Sequence, residues 1–160
     1  ILTFRDEYPK LLKGDLKTKA VDISKNALLF EEFICREIEK GNITSDLFKD
    51  TKEKIKVHGH CHQKALSSVD FTKDALSLPI NFEVEVIPSG CCGMSGSFGY
   101  EAKNYETSMK IGELVLFPAV REAERGTIIA APGTSCRHQI KDGTDVEAKH
   151  PAQILFESLR

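Results

Sequence analysis

Residues 82–93 read FEVEVIPSGCCG, and the fold can be worked out from this stretch. Apolar and charged side chains alternate over Phe82–Ile87, which is typical of a β-strand, and Pro88-Ser89-Gly90 ends the alternation. Two adjacent cysteines follow at once. The sequence therefore predicts a strand that runs into a tight loop carrying Cys91 and Cys92.

Two further strands are predicted on either side of this one. Ile55–His58 alternates up to Gly59, with His58 as the strand's own last residue, and Thr127–Ala131 is a continuous apolar run of the kind buried on both faces. Apolar residues at helical spacing predict helices over 23–38, 62–77, about 100–113, about 114–125, a short stretch after Ser135, and a last helix that His150 introduces before Pro151. Residues 1–20 are expected to be an irregular lead-in with one short helix.

This alternation of strands and helices predicts the fold class. It indicates an α/β fold in which a parallel sheet carries helices on both faces. Ligands of such sheets gather at the carboxyl ends of the strands, and four cysteines fall there, on the loops after the three strands: Cys61, Cys91, Cys92 and Cys136. The fifth, Cys35, lies inside a predicted helix and is expected to be a buried core residue.

Length and composition limit the possible functions. The chain has 160 residues, 41% hydrophobic and 29% charged, which predicts a single globular domain over 1–160 and excludes disorder and fibre. The net charge of -2 offers no electrostatic footprint for nucleic acid, and no apolar run is long enough for a transmembrane segment. An odd number of cysteines indicates metal or redox use in a cytoplasmic setting. Because it starts at Ile1, we expect a fragment of a longer chain.

The cysteine spacing favours one kind of metal centre. Adjacent α-carbons are about 3.8 Å apart, too close for an unstrained disulfide between Cys91 and Cys92. The gaps of 29 residues from Cys61 to Cys91 and 43 residues from Cys92 to Cys136 do not match a zinc finger. A multinuclear cluster is therefore the favoured interpretation.

The cysteine pair lies in a loop with glycine at every third position. Gly90, Gly93 and Gly96 are predicted to let backbone N–H groups turn toward a bound cofactor, either cluster sulfur or a phosphate. Their spacing differs from the Gly-x-Gly-x-x-Gly fingerprint of dinucleotide sites. This disfavours nucleotide binding.

Four stretches together resemble the cysteine-rich CCG domain, which the B subunit of heterodisulfide reductase shares with iron–sulfur subunits of glycolate oxidase and anaerobic glycerol-3-phosphate dehydrogenase. They are Val57–Ala65, Ser89–Tyr100, Gly133–Gln139 and His150–Ala152. The details are most similar to the carboxyl-terminal part of fused FAD-linked oxidases of D-lactate or glycolate type. The opening residues 2–9 also resemble the segment that follows a Glu-Pro-Ser-Cys element in that family, which implies a further ligand just before Ile1.

The resemblance implies an electron-transfer module with an iron–sulfur cluster held by Cys61, Cys91, Cys92 and Cys136. Electrons would come from FAD in a dehydrogenase domain outside this chain and pass to a quinone or another acceptor, so that the module is cytoplasmic or peripheral to the inner face of the membrane. The isolated chain is then not expected to be catalytic.

One position departs from the family pattern. Cys136-Arg137-His138-Gln139 has glutamine where the family has a second cysteine. This favours a simpler cluster, such as a 4Fe-4S cluster, or a site completed by one of three histidines: His60, His62 or His138. Histidine in place of cysteine would raise the reduction potential.

Two other functions remain open from the residues alone. The domain could bind one structural zinc and act as a docking module. Alternatively, a pair such as Cys61 and His138 could make the chain a thiol hydrolase, which requires a lowered thiol pKa and leaves the adjacent cysteines unexplained.

Overall fold

The computed structural model describes residues 1–160 and confirms the parallel sheet. Its three strands are β1 (Glu53–Val57), β2 (Phe82–Val86) and β3 (Ile128–Ala130), in the order β2-β1-β3. Both pairings are parallel, and Ile55 of β1 lies opposite Val84 of β2 and Ile128 of β3. All three strands therefore present their carboxyl ends at one edge.

Nine α-helices surround the sheet: α1 (Leu2–Leu11), α2 (Gly14–Asn26), α3 (Phe30–Glu39), α4 (Cys61–Leu66), α5 (Asp70–Leu76), α6 (Tyr105–Glu113), α7 (Leu116–Arg121), α8 (Thr134–Thr144) and α9 (Pro151–Ser158). Short 3-10 helices occur at Ser45–Leu47, Phe98–Tyr100 and Ala102–Asn104. None of the helices combines the length and apolarity needed to cross a bilayer.

The core has two halves, one on each face of the sheet. Val57 and Ala130 pack with buried residues of α3, α5 and α9, whereas Ile129 and Ala131 pack with buried residues of α7 and α8. Neighbouring residues of β3 thus point to opposite faces, as alternation in a strand requires. The prediction of helices on both faces is confirmed.

The expectation of an irregular lead-in over residues 1–20 is wrong, since α1 and α2 occupy this region. α1 has no buried residue: Phe4, Tyr8 and Leu11 recur at helical spacing but are exposed, and Pro9, which disfavours a helix in the sequence, lies inside it. Polar contacts hold it instead: the Arg5 guanidinium pairs with Glu32 and donates to the carbonyl of Ala27.

Two predicted helices are each divided in the structure. The helix over 23–38 breaks between Asn26 and Phe30, where the Glu32 carboxylate accepts a hydrogen bond from the Leu29 N–H (2.8 Å) and starts α3. The helix over 62–77 breaks after Leu66, where the Ser68 hydroxyl accepts from the N–H of Asp70 (3.1 Å). Polar side chains at the breaks satisfy the free N–H groups of each new helix.

Candidate metal centre

Three loops leave the sheet at the same edge. The His58 N–H donates to the carbonyl of Ala130 (2.8 Å) and the Ile87 N–H to that of Val57 (2.9 Å), so all three strands end together. Cys61 begins α4 after β1, the adjacent cysteines follow β2, and Cys136 lies in the first turn of α8 after β3. The topology thus brings these predicted site residues to one place.

The inner part of the site is a buried group of three donors. The Sγ atoms of Cys92 and Cys136 and one ring nitrogen of His58 all lie within 4.8 Å of one another. Their exposed fractions are 2%, 1% and 0%. Soft sulfur and imidazole nitrogen at this separation are a donor set for zinc, copper or iron rather than for magnesium or calcium.

Cys61 and Cys91 form the outer part of the site. Cys61 is exposed and Cys91 half-buried. Burial and the hydrogen-bonding contact with the Cys91 side chain raise the pKa of the Cys61 thiol, and the charge of Cys92 raises it further. The four cysteines are therefore close enough to influence one another electrically.

The charges in the site indicate what is needed to complete it. A hydrogen bond from the Cys136 thiol lowers the pKa of Cys92 to about 4, although burial alone would raise it; His58 also favours the Cys92 thiolate. The same bond, burial and the charges of the other three cysteines raise the pKa of Cys136. The thiols of Cys61, Cys92 and Cys136 influence one another so that they do not all ionise together without a cation. A metal ion or cluster fits, because it would stabilise all four thiolates.

His58 is oriented by a neighbour on the cysteine loop. Its Nδ1 lies 2.7 Å from the Ser89 hydroxyl, and its Nε2 is buried without a hydrogen-bond partner. Lys64 also binds that loop, because its ammonium donates to the carbonyls of Ser89 (2.6 Å) and Gly90 (3.0 Å). Because Nδ1 is engaged by Ser89, Nε2 is the ring nitrogen that remains free to act with the two inner cysteines.

The three predicted cofactor-binding glycines have different roles. The Gly93 N–H donates to Cys91 Sγ (3.3 Å). The φ of Gly93 is +104°, a backbone conformation that residues with a side chain rarely adopt. Gly96 also has a positive φ (+68°) but open space around it, and Gly90 supplies a carbonyl to Lys64. Only Gly93 therefore directs its own N–H to a cysteine, while the next N–H, that of Met94, stabilises the Cys92 thiolate.

None of the histidines singled out from the sequence lies in the compact donor group. His60 immediately precedes α4. Its ring packs on Gly133 in a cavity of about 280 Å³ with Glu31 and Gln63, and burial lowers its pKa. His62 is half-buried on α4. His138 is exposed, and its Nδ1 lies 2.9 Å from the Tyr100 hydroxyl.

Gln139 stands where the CCG domain pattern has a second cysteine, and its side chain makes structural hydrogen bonds. It is 3% exposed, and its amide donates to the carbonyl (3.1 Å) and hydroxyl (2.9 Å) of Ser108 in α6. The Ser108 hydroxyl in turn donates to the carbonyl of Gly93 (3.0 Å). Gln139 therefore holds Ser108 in place, and Ser108 holds the cysteine loop at Gly93.

Cys35 and His150 have the roles predicted for them. Cys35 is 8% exposed in the core, its thiol donates to the carbonyl of Phe71 (3.4 Å), and burial raises its pKa to about 11. His150 precedes α9, and its Nδ1 accepts from the N–H of Ala152 (3.1 Å). Neither lies in the compact group of donors.

His58 is the site residue that sequence reasoning misses as a possible ligand. The strand pattern identifies it as the last residue of the strand, which describes its backbone but not its side chain. Alternation is the available signal: Ile55 and Val57 face one core, so the next side chain points to the opposite face, where Cys92 and Cys136 lie.

The chain is similar to parts of larger dehydrogenases. It is 32% identical over 161 residues to D-2-hydroxyglutarate dehydrogenase of Escherichia coli K12, matching 100% of this chain and 15% of that protein. It is 28% identical over 155 residues to the C subunit of anaerobic glycerol-3-phosphate dehydrogenase from the same organism, matching 97% of this chain and 37% of that protein. It is also 29% identical to D-2-hydroxyglutarate dehydrogenase of Pantoea ananatis, and this match covers 98% of this chain and 14% of that protein.

The chain thus spans between 14% and 37% of the length of these three relatives. No family model and no solved structure matches it. By name these relatives are dehydrogenases, which supports a redox role for the region they share with this chain.

Proposed function

We propose that this chain is the iron–sulfur electron-transfer module of a FAD-linked dehydrogenase of the 2-hydroxyacid type. In this proposal Cys61, Cys91, Cys92 and Cys136 hold the cluster. FAD is bound by a dehydrogenase domain outside this chain, in the same polypeptide or complex. Residues 1–160 act as one domain that receives electrons from the flavin and delivers them to an acceptor such as a quinone. With a quinone as acceptor, the module would work at the inner face of the membrane.

The convergence of the four cysteines carries this proposal. They come from three loops separated by 29 and 43 residues, yet they meet at one edge of the sheet. Packing alone does not require such a convergence, because a buried thiol can be replaced by any small apolar side chain. The similarity to two kinds of dehydrogenase also supports a redox role for this chain.

The chain's own residues prepare the site in three ways. Thiolate ligands are supplied at two depths, since Cys92 and Cys136 are buried whereas Cys61 is exposed. Backbone N–H groups of Gly93 and Met94 point at sulfur, which raises a cluster's potential by offsetting negative charge. Apolar residues around the inner cysteines, including Ile87, exclude water. A bound iron–sulfur cluster would supply one-electron transfer.

The proposal is tested by anaerobic reconstitution of the chain with iron and sulfide. We expect broad absorbance near 400 nm, iron and acid-labile sulfide in comparable amounts, and an EPR signal on reduction. Cys92→Ser should lose most of the iron while retaining its helical circular dichroism. Cys35→Ser is the matched control, because Cys35 is also buried but lies in the other half of the core, and it should retain the cluster.

A second candidate is a structural zinc site. The compact group formed by His58, Cys92 and Cys136 has donors suited to tetrahedral zinc. Stoichiometric zinc without sulfide, in protein purified anaerobically from iron-rich cells, would favour this candidate and contradict the cluster.

The structure gives no support to Cys61 and His138 as the pair of a thiol hydrolase, and Cys92, whose pKa is lowered, is only 2% exposed and closed to a substrate. The pKa of Cys61 is raised rather than lowered by burial and by Cys91, and the Nδ1 of His138 contacts Tyr100. A nucleophilic thiol needs the opposite shift.

A further inference from the structure

Three buried side-chain atoms in the molecule have no hydrogen-bond partner: Glu31 Oε1, His58 Nε2 and Gln63 Oε1. The two oxygens belong to residues that line the 280 Å³ cavity next to His60. The nitrogen differs, because it belongs to a residue with 0% exposure whose other neighbours are two cysteines. A buried nitrogen without a partner is costly, so its position calls for an explanation.

We infer that His58 is a ligand of the metal centre through Nε2, which makes the centre a mixed cysteine and histidine site. This inference rests on the function proposed above and adds to it the identity of a non-cysteine ligand. It also replaces His60, His62 and His138, the histidines that the sequence indicated. The position of the ring nitrogen beside both inner sulfur atoms is the observation that carries it.

Ser89 prepares the ring for this role. A metal-binding histidine commonly donates its other ring N–H to an oxygen, which fixes the tautomer and leaves the second nitrogen free to bind. The Ser89 hydroxyl lies 2.7 Å from Nδ1, where it can accept that hydrogen bond. Ser89 is itself held in place, since its N–H donates to the carbonyl of Ile87 (2.7 Å) and its carbonyl accepts from Lys64.

The alternative role for His58 is that of an ordinary core histidine that donates a hydrogen bond to the Cys92 thiolate. In that case the ring would stay unbound when the centre is filled. The two roles differ in whether imidazole nitrogen is bonded to the metal, which is a spectroscopic property and does not depend on activity. They differ also in redox potential, because neutral imidazole in place of thiolate raises it.

The test uses the reconstituted chain labelled with ¹⁵N only at histidine. Pulsed EPR of the reduced centre should show a strong coupling to one histidine nitrogen, which changes between the ¹⁴N and ¹⁵N samples. His58→Ala should lose this coupling, whereas His60→Ala and His138→Ala should keep it. His58→Cys should lower the midpoint potential, because it replaces a neutral imidazole with a thiolate. Ser89→Ala should alter the coupling without removing it.

The outcomes separate the two proposals. A wild-type chain that binds no iron–sulfur cluster contradicts the proposed function, and this inference with it. A cluster that shows no histidine coupling in the labelled wild type overturns only the role of His58. That measurement needs no substitution, so the result stands even if a His58 variant fails to fold.

Discussion

At the residue scale, the ion pair between Arg5 and Glu32 is expected to stabilise the amino-terminal helices. Burial would raise the pKa of Glu32, but Arg5, the Ser67 hydroxyl and the Leu29 N–H lower it to about 2. A lowered folded-state pKa contributes stability above the unfolded-state value near 4.5, and this contribution is lost as the pH falls toward 2. Arg5→Met should therefore lower the free energy of unfolding by about 2 kcal/mol at pH 7.

This difference from wild type should narrow as the pH falls from 5 to 2, which urea unfolding at several pH values would measure. Arg121→Met is the control, because Arg121 pairs with Glu113 in an ion pair that is about half exposed, and such pairs contribute little. Equal losses in the two variants would show that burial does not distinguish the pairs.

Single residues also show where sequence reasoning succeeds and where it fails. The cysteines could be placed because each follows a strand, and parallel strands end at one edge. The histidines could not be told apart from the sequence, because His58 and His60 differ by only two positions and their rings contact residues far along the chain, Ser89 for His58 and Gly133 for His60. Ser89, which orients His58, is 31 residues away along the chain.

At the element scale, the loop between β2 and α6 is held by a close approach of its backbone to α6. A Cβ placed on Gly93 would collide with the carbonyl oxygen of Ser108, and the φ of +104° adds strain. Gly93→Ala should therefore lower the unfolding midpoint and weaken metal binding, because Gly93 lies beside both loop cysteines. The expected loss is about 2–4 kcal/mol.

Gly96→Ala is a matched control in the same loop. Gly96 also has a positive φ, but a Cβ there meets nothing within 4 Å. This variant should lose only about 1 kcal/mol and should bind metal as wild type does. Thermal unfolding and iron uptake should be measured for the two variants side by side. Equal losses in Gly93→Ala and Gly96→Ala would contradict this account.

Helices at the edges of the fold were harder to predict than the strands. The strands follow from short apolar patterns that end at glycine or proline. The division of 62–77 into α4 and α5 instead depends on Ser68, whose carbonyl accepts from Gln63 (3.3 Å) while its hydroxyl caps α5. α1 was missed because Pro9 reads as a helix break, whereas in the structure it lies inside the helix near its end.

At the scale of the whole molecule, the proposed metal site is continuous with one half of the core. Cys92 and Cys136 belong to the same buried cluster as Phe117 and Ile140, on the face of the sheet covered by α7 and α8. Filling the centre would therefore add contacts to three loops and to this half of the core at once. The other half, around Ile55 and α9, contains none of the four site cysteines.

Reconstitution should accordingly raise the thermal midpoint of the entire chain. A ligand that binds only the folded state at 100 to 1,000 times its dissociation constant adds about 3–4 kcal/mol, which corresponds to roughly 6–16 °C for a domain of this size. Hydrogen exchange should slow most in β3 and α8, which lie next to the inner cysteines, and least in α1, which has no buried residue. Because Cys92→Ser removes an inner thiolate, it should abolish most of the rise. An equal rise in that variant would mean that the metal stabilises the fold from some other place.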